Sequence, residues 1–293
     1  MSNNYVCETD FYTDWVNFLK EELSKWGCTI ENNEDLEKVS FTYFNLRKRR
    51  LMPVVREVLI SKEFVCPSQY LAGLELIKER IRRGEDLTPH LSRSVLTDPS
   101  YNDDLLNDWG IHHLHLGIVP DARDNRIVER TGPLLFARFD DNYAYLINVL
   151  NHGEWANIDF IRVLHNNWPT SIEHCRAENV SSIEPLGDIQ AYRDAGEQTF
   201  IEIDGVVYLP IGGGYTQSRL SVEVIQYSDY FSAMIRELEN RVNNNVSKLV
   251  ADAQTQGLSL PEKLHIKLVV EKEKIYAEEQ SSKFKWPIAN LDW

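Results

Sequence analysis

The sequence predicts an α+β fold, with a mostly antiparallel sheet, flanking helices and two to three packed subdomains. Apolar residues recur at helical spacing over residues 11–26, 68–83 and 227–256, a pattern typical of amphipathic helices. Two pairs of β-rich runs flank polar turns at Asp140 and Asp204, as in antiparallel hairpins. The 293 residues also provide ample chain for a buried core.

Residues 1–95 are expected to form a mixed helical, locally basic N-terminal region. Its expected elements are a helix over residues 11–26 followed by Gly27, a strand over Val39–Phe44, a β-branched run over Val54–Ile60, and a helix over residues 68–83 followed by Gly84. Glycine is common directly after a helix because it adopts the left-handed backbone conformation at little steric cost. The two glycines therefore set the expected helix ends.

Two further regions follow, a central α+β region over residues 96–198 and a C-terminal region over residues 199–293. The central region is expected to contain a histidine strand over residues 109–118, a hairpin of Leu134–Phe139 and Tyr143–Leu150, and a short helix that Pro169 ends. The C-terminal region is expected to contain a hairpin of Thr199–Ile203 and Val206–Leu209, a long helix over 227–256, a strand over Leu264–Val270, and an exposed tail with Trp286 and Trp293.

Charge is distributed unevenly along the chain. The formal net charge is −14, yet residues 47–83 contain ten basic and four acidic side chains and are locally +6. Since lysine and arginine displace counterions from phosphate backbones, this segment predicts an RNA-binding face. The expected binding residues are Arg47, Lys48, Arg49, Arg50, Arg80, Arg82 and Arg83. The alternative is that these charges are solvated or pair with acidic side chains elsewhere.

The sequence favours a cytoplasmic protein without a membrane partner. No stretch approaches the roughly 18 consecutive apolar residues of a membrane span, and the first residues do not resemble a secretion signal. The four cysteines are widely separated and form no C-x-x-C pair, which argues against a zinc ribbon or a dithiol redox site.

The densest set of reactive side chains lies in the sequence Trp109-Gly110-Ile111-His112-His113-Leu114-His115. Because side chains alternate between the two faces of a strand, His113 and His115 are expected to share one face and His112 to lie on the other. Imidazole titrates near neutral pH, so two imidazoles on one face can divide acid and base roles or chelate a metal.

Three interpretations of this cluster remain open. In a metal-free site, His113 and His115 act with His152, and Arg138 or Arg130 stabilises a pentavalent phosphate; no cofactor is then expected. In a metal-dependent hydrolase, the pair holds one divalent metal with a further ligand from His152, His165, Asp159 or Asp108. In the third, the histidines form hydrogen bonds in the core of a non-catalytic interaction protein that dimerises through the helix at 227–256.

The segment from Leu134 to His152 resembles the central hairpin of RelE-type mRNA interferases. The second half of the hairpin, Tyr143-Ala144-Tyr145-Leu146-Ile147-Asn148-Val149-Leu150, leads directly into Asn151-His152. The resemblance implies an antiparallel-sheet ribonuclease that cuts RNA without a metal, with roles for Arg138 and His152. The favoured hypothesis is therefore a metal-independent ribonuclease of the toxin or phage-defence type, with His113, His115, His152 and Arg138 at the catalytic site.

Overall fold

The computed structural model describes residues 5–31, 34–180 and 187–291. Within these residues the α-helices are α1 (Phe11–Lys25), α2 (Leu36–Arg49), α3 (Leu71–Arg83), α4 (Ser94–Thr97), α5 (Asp104–Trp109), α6 (Asp159–Asn167), α7 (Ile189–Asp194), α8 (Val222–Asn244) and α9 (Val246–Thr255). The strands are β1 (Val6–Glu8), β2 (Glu57–Ile60), β3 (Ile111–His115), β4 (Pro133–Phe139), β5 (Tyr143–Asn151), β6 (Ile201–Ile203), β7 (Val206–Tyr208), β8 (Lys263–Glu271), β9 (Lys274–Glu279) and β10 (Lys285–Asn290).

The chain divides into two compact units, one formed by Met1–Tyr43 with Gln226–Trp293 and the other by Phe44–Ile225. The unit boundaries fall within α2 and α8. This division follows contacts in space, whereas the three regions 1–95, 96–198 and 199–293 follow the sequence. The three-region division stays a prediction.

The sheets confirm the α+β class, but they are mixed rather than mostly antiparallel. The sheet of unit 44–225 has the order β2-β5-β4-β3, and β2 runs parallel to β5. The sheet of the other unit has the order β1-β8-β9-β10, and β1 runs parallel to β8. The hairpin pattern revealed only the antiparallel pairs, because parallel strands are distant in sequence and leave no turn signal between them. The third sheet is the antiparallel hairpin of β6 and β7.

In the unit of the terminal segments, α1 packs on β8 around an aromatic core. The rings of Trp15 and Phe231 stack at 5.5 Å, and both side chains are buried. The backbone amide of Leu268 in β8 donates to Oδ2 of Asp14 in α1 at 2.9 Å. The expected helix over residues 11–26 is confirmed; Gly27 follows it with a φ of 83°.

The central sheet of unit 44–225 is held by the β4–β5 hairpin, which confirms the predicted hairpin. β3 pairs with β4 so that Ile111 lies opposite Arg138 and His113 lies opposite Phe136. Phe136 stacks on Phe160 of α6 at 4.6 Å, so α6 covers this face of the sheet. The predicted helix at 68–83 is confirmed as a short 3₁₀ turn followed by α3, which ends at the left-handed Gly84.

Residues 39–44 are helical, so the predicted strand at Val39–Phe44 is wrong. Val39 and Tyr43 are spaced by one helical turn and both are buried, a pattern that a six-residue window also fits to a strand. The helix α2 begins after Asp35, whose Oδ1 accepts hydrogen bonds from the amides of Glu37 and Lys38. Tyr43 stacks on Trp26 at 5.1 Å.

The long helix predicted over residues 227–256 is interrupted at Asn245, which separates α8 from α9. The Asn245 side chain donates to the backbone oxygen of Arg241 at 2.8 Å, a local bond that competes with helix continuation. Leu238 and Val242 are buried as expected, whereas Tyr230 is 60% exposed.

The expected exposed tail instead forms two strands, β9 and β10, and Trp286 is buried. The turn between β8 and β9 contains Lys272 and Glu273, both with positive φ. Such turns usually contain Asn or Gly, so this hairpin has no turn signal in the sequence. Trp293 lies outside the described residues. No helix among the described residues is long and apolar enough to cross a membrane.

Candidate active site

The histidine strand begins later than expected, because Trp109 belongs to α5 and only Ile111–His115 is extended. Asp103 caps α5 by accepting the Leu106 amide at 3.1 Å, and Gly110, with a φ of 67°, ends it. Asp103 thus lies just before α5, and His113 lies on β3, which follows α5 after the single residue Gly110.

A cavity of about 290 Å³ lies beside β3 and contains two of the sequence-predicted catalytic residues, His113 and His152. His113 comes from β3, and His152 directly follows β5. The backbone amide of His152 donates to the oxygen of Gly132 at 3.2 Å, which anchors the start of its loop. The cavity is lined by Ser92, Tyr101, Asp103, Asp104, Leu105, His113, His152, Trp155 and Gln190.

Trp155 contacts both cavity histidines. Its ring centroid lies 4.8 Å from that of His113 and 4.8 Å from that of His152. The contact with His152 is edge-on, with an interplanar angle of 83°. The Trp155 ring therefore links the two imidazoles of the cavity by direct contact with each of them.

Burial and a neighbouring carboxylate set the electrostatics of His113. Burial lowers the pKa of His113, and the Asp103 carboxylate opposes that shift. Nδ1 of His113 lies 3.7 Å from Oδ2 of Asp103, beyond an ordinary hydrogen bond but close enough for charge attraction. His113 is thus neutral at neutral pH. The Asp103 carboxylate stabilises the protonated form of its imidazole.

His115 shares the His113 face but has a different environment. It is 3% exposed, and its Nδ1 accepts a hydrogen bond from the backbone amide of Thr131 at 3.1 Å. Burial, followed by the positive charge of Arg130, lowers the pKa of His115 to about 3. His90 donates from Nδ1 to the backbone oxygen of His115 at 2.8 Å. The structure therefore brings His113 and His152 into the cavity but places His115 behind it.

His112 lies on the opposite face, as the strand alternation predicted. Its ring meets Phe139 edge-on at 5.6 Å. Burial lowers the pKa of His112 to about 4, against the opposing influence of Asp103. Both ring nitrogens of His112 are buried, and the imidazole is neutral at neutral pH.

Arg138 does not line the cavity. Its Nη1 lies 3.9 Å from Oδ2 of Asp140, and its guanidinium lies over the Tyr145 ring at 5.7 Å. The charge of Arg130, in contrast, acts on the histidines and lowers the pKa of both His113 and His115. Nη1 of Arg130 donates to the oxygen of Leu91 at 2.8 Å, and burial lowers its own pKa to about 10.

The basic segment is divided between buried and exposed side chains. Nζ of Lys48 contacts Glu223 at 2.8 Å and the oxygen of Gly212 at 2.7 Å. Arg49 is 3% exposed, and its guanidinium lies over the Tyr101 ring at 5.1 Å, where it supports a cavity wall. Arg47 on α2, Arg50 directly after α2 and Arg80 on α3 are half-buried, whereas Arg82 and Arg83 are exposed at the end of α3.

The alternative metal ligands are engaged elsewhere in the fold. Asp108 is ion-paired with Arg193 at 2.9 Å, Asp159 with Arg162 at 2.7 Å, and His165 contacts the Tyr208 hydroxyl at 2.8 Å. Across residues 5–31, 34–180 and 187–291, no cluster of three or more His, Cys, Asp or Glu side chains is arranged to hold a metal ion.

Sequence reasoning missed Asp103, Tyr101, Trp155 and Gln190. Asp103 lies in a polar stretch without hydrophobic periodicity, although an aspartate three residues before the buried Leu106 is a helix-capping signal. Trp155 follows His152 in a loop, where no periodic pattern predicts which side chains turn inward.

Comparison of the chain with known proteins gave no matching family model, no matching curated protein and no matching solved structure. The functional assignment therefore depends on the cavity itself.

Proposed function

We propose that this chain is a metal-independent endoribonuclease of the toxin or phage-defence type that acts in the cytoplasm through His113 and His152. The observation that supports this most directly is that both imidazoles contact Trp155 in one cavity, each at 4.8 Å. Two imidazoles that line one cavity can serve opposite sides of one phosphodiester. The hairpin similar to RelE-type interferases adds support, since His152 directly follows its second strand.

In the proposed reaction His113 is the general base. Its neutral form removes the proton from a ribose 2′-hydroxyl, and that oxygen attacks the adjacent phosphorus. The P–O5′ bond breaks, and protonated His152 gives its proton to the departing oxygen. The products are a 2′,3′-cyclic phosphate and a 5′-hydroxyl. The Asp103 carboxylate, 3.7 Å from Nδ1 of His113, stabilises the imidazolium that forms.

Other groups at the cavity fit a nucleotide substrate. Arg130 supplies positive charge close to the histidines, where negative charge develops on the phosphoryl oxygens. Trp155 and Tyr101 provide aromatic surface on which bases can stack. Arg138 has no part in this version of the mechanism.

RNA is guided to the site by the exposed cations of α3, Arg82 and Arg83, because Lys48 and Arg49 are buried by internal contacts. A homodimer formed through α8, within the segment 227–256, is supported by the exposure of Tyr227 (43%) and Tyr230 (60%). Exposed tyrosines are frequent at protein interfaces.

The test is cleavage of a single-stranded RNA oligonucleotide, with products identified by mass spectrometry. Wild-type protein should generate 2′,3′-cyclic phosphate ends in EDTA, and His113→Ala and His152→Ala should each lose at least about a hundredfold in rate. His174→Ala is the matched control, because His174 is exposed and lies outside the cavity. Activity lost in EDTA and restored by one metal would instead support the metal-dependent hydrolase.

Full activity in both cavity variants would reject the proposed function and leave the histidines as structural residues of an interaction protein.

A further inference from the structure

Arg193 on α7 contacts both of the chain segments that carry the cavity histidines. Its Nε donates to Oδ2 of Asp108 at 2.9 Å, and its Nη1 donates to the backbone oxygen of Trp155 at 2.5 Å. Asp108 lies on α5, which leads into β3 and His113. Trp155 lies in the loop that begins with His152. One guanidinium therefore joins two segments that are distant in sequence.

The contacts of Arg193 are shielded from solvent. The side chains of Arg193 and Asp108 are 0% and 1% exposed. Thr199 donates to both carboxylate oxygens of Asp108, at 2.9 and 2.8 Å, so the carboxylate is fixed from a second side. The guanidinium also lies over the Trp109 ring at 4.4 Å. A guanidinium so enclosed has little freedom to change its position.

We propose that Arg193, held by Asp108 and Thr199, is a positioning residue that fixes the backbone at Trp155 and thereby the placement of the Trp155 ring between His113 and His152. The catalytic part of this inference rests on the proposed ribonuclease function. The structural part does not, because the bond to the Trp155 carbonyl oxygen is a property of the fold. A displacement of about 1 Å in this loop is enough to lower a catalytic rate about a hundredfold.

Arg193→Lys distinguishes the positioning of the Trp155 backbone from charge pairing with Asp108. Lysine retains the positive charge beside Asp108, but its single ammonium has no second arm for the Trp155 oxygen. Thr199→Val removes the bond that holds Asp108, whereas Thr199→Ser keeps that hydroxyl and is the matched conservative control.

The first measurement is tryptophan fluorescence across the pH range in which histidine titrates. A protonated imidazole quenches an adjacent indole, and Trp155 contacts two imidazoles, so wild type should show a step that Trp155→Phe abolishes. Arg193→Lys should reduce the amplitude of that step by at least about twofold, because the ring contact loosens. Thr199→Ser should retain it. This measurement does not require any catalytic activity.

The second measurement is RNA cleavage under saturating and subsaturating substrate. Arg193→Lys should lower kcat by about tenfold or more while KM changes by less than about threefold, as expected for misplaced catalytic groups. If wild type cleaves no RNA, the proposed function fails and the fluorescence step alone decides the positioning role.

Circular dichroism establishes which variants are folded. If Arg193→Lys is unfolded at 25 °C, Thr199→Val takes its place in both measurements. An undiminished fluorescence step in the folded variant would overturn the proposal, even if its melting temperature is lower.

Discussion

Oδ2 of Asp103 lies 3.7 Å from Nδ1 of His113, while Oδ1 of the same carboxylate caps α5 through the Leu106 amide. One side chain thus supports both a helix and a candidate base. These two roles can be separated, because asparagine caps a helix about as well as aspartate but lacks its charge.

Asp103→Asn should therefore leave the melting temperature nearly unchanged while lowering the rate of RNA cleavage. The carboxylate opposes the effect of burial on the pKa of His113, so its loss should lower that pKa further. The acid limb of the kcat/KM profile should consequently move to lower pH, which a pH–rate series measures. An acid limb that stays in place would show that His113 is not the base reported by the profile.

His115→Ala should destabilise the fold more than His113→Ala does, although the sequence assigned both histidines to the same catalytic site. Removing the His115 ring leaves the part-buried Thr131 amide without its acceptor, at a cost of about 1–3 kcal/mol. Urea denaturation of the two variants provides the comparison. Equal free energies of unfolding would contradict the distinction between a cavity histidine and a buried one.

Acid should destabilise the protein through its buried histidines. The pKa of His112 is about 4 in the folded state, against about 6.5 in an unfolded chain. The unfolded state therefore binds more protons below pH 6.5, and the free energy of unfolding should fall as the pH drops from about 6.5 to 4. The contribution of His112 is on the order of 3 kcal/mol, present above pH 6.5 and lost by about pH 4.

Asparagine does not titrate. The free energy of unfolding, measured by denaturation across this pH range, should therefore change less with pH in His112→Asn than in wild type. His174→Asn serves as the exposed control. A wild-type slope retained in His112→Asn would contradict the folded-state pKa of this histidine.

Gly73→Ala should destabilise the fold although alanine favours helices. A Cβ at Gly73, within α3, would overlap the backbone oxygen of Leu116, so α3 would have to move away from the chain that follows β3. Helix propensity alone predicts that Gly73→Ala raises the free energy of unfolding by about 1 kcal/mol. The sign of the measured change in that free energy therefore decides between helix propensity and the overlap. Gly132→Ala is the control, because a Cβ there meets nothing within 4 Å. Thermal denaturation of both variants measures the difference.

The sequence predicted much of the local structure because periodicity is a local property. The α1 and α3 helices and the β4–β5 hairpin each combine an apolar pattern with a glycine or polar turn that ends it. The same approach failed at Val39–Phe44, where a short window fits both helix and strand. It also failed at the β8–β9 turn, where Lys272 and Glu273 adopt positive φ without the usual residues.

The candidate site was predicted in part. Strand alternation placed His113 and His112 on opposite faces, and the hairpin placed His152 at a strand end. Alternation does not distinguish His115, which is buried against the Thr131 amide, from His113, which faces a cavity. That distinction arises from tertiary packing. The partners that complete the site, Asp103 and Trp155, come from turns, whose side-chain directions depend on the same packing.

The parallel pairing of β1 with β8 bears on how the chain folds during synthesis. Val6 pairs with Lys263, so this sheet joins two strands that are far apart along the chain. The unit Phe44–Ile225 is continuous in sequence, and all of its residues are available much earlier. Contacts between distant residues form slowly because a long loop must close first. The cavity can therefore form during synthesis, before β8 is available to pair with β1.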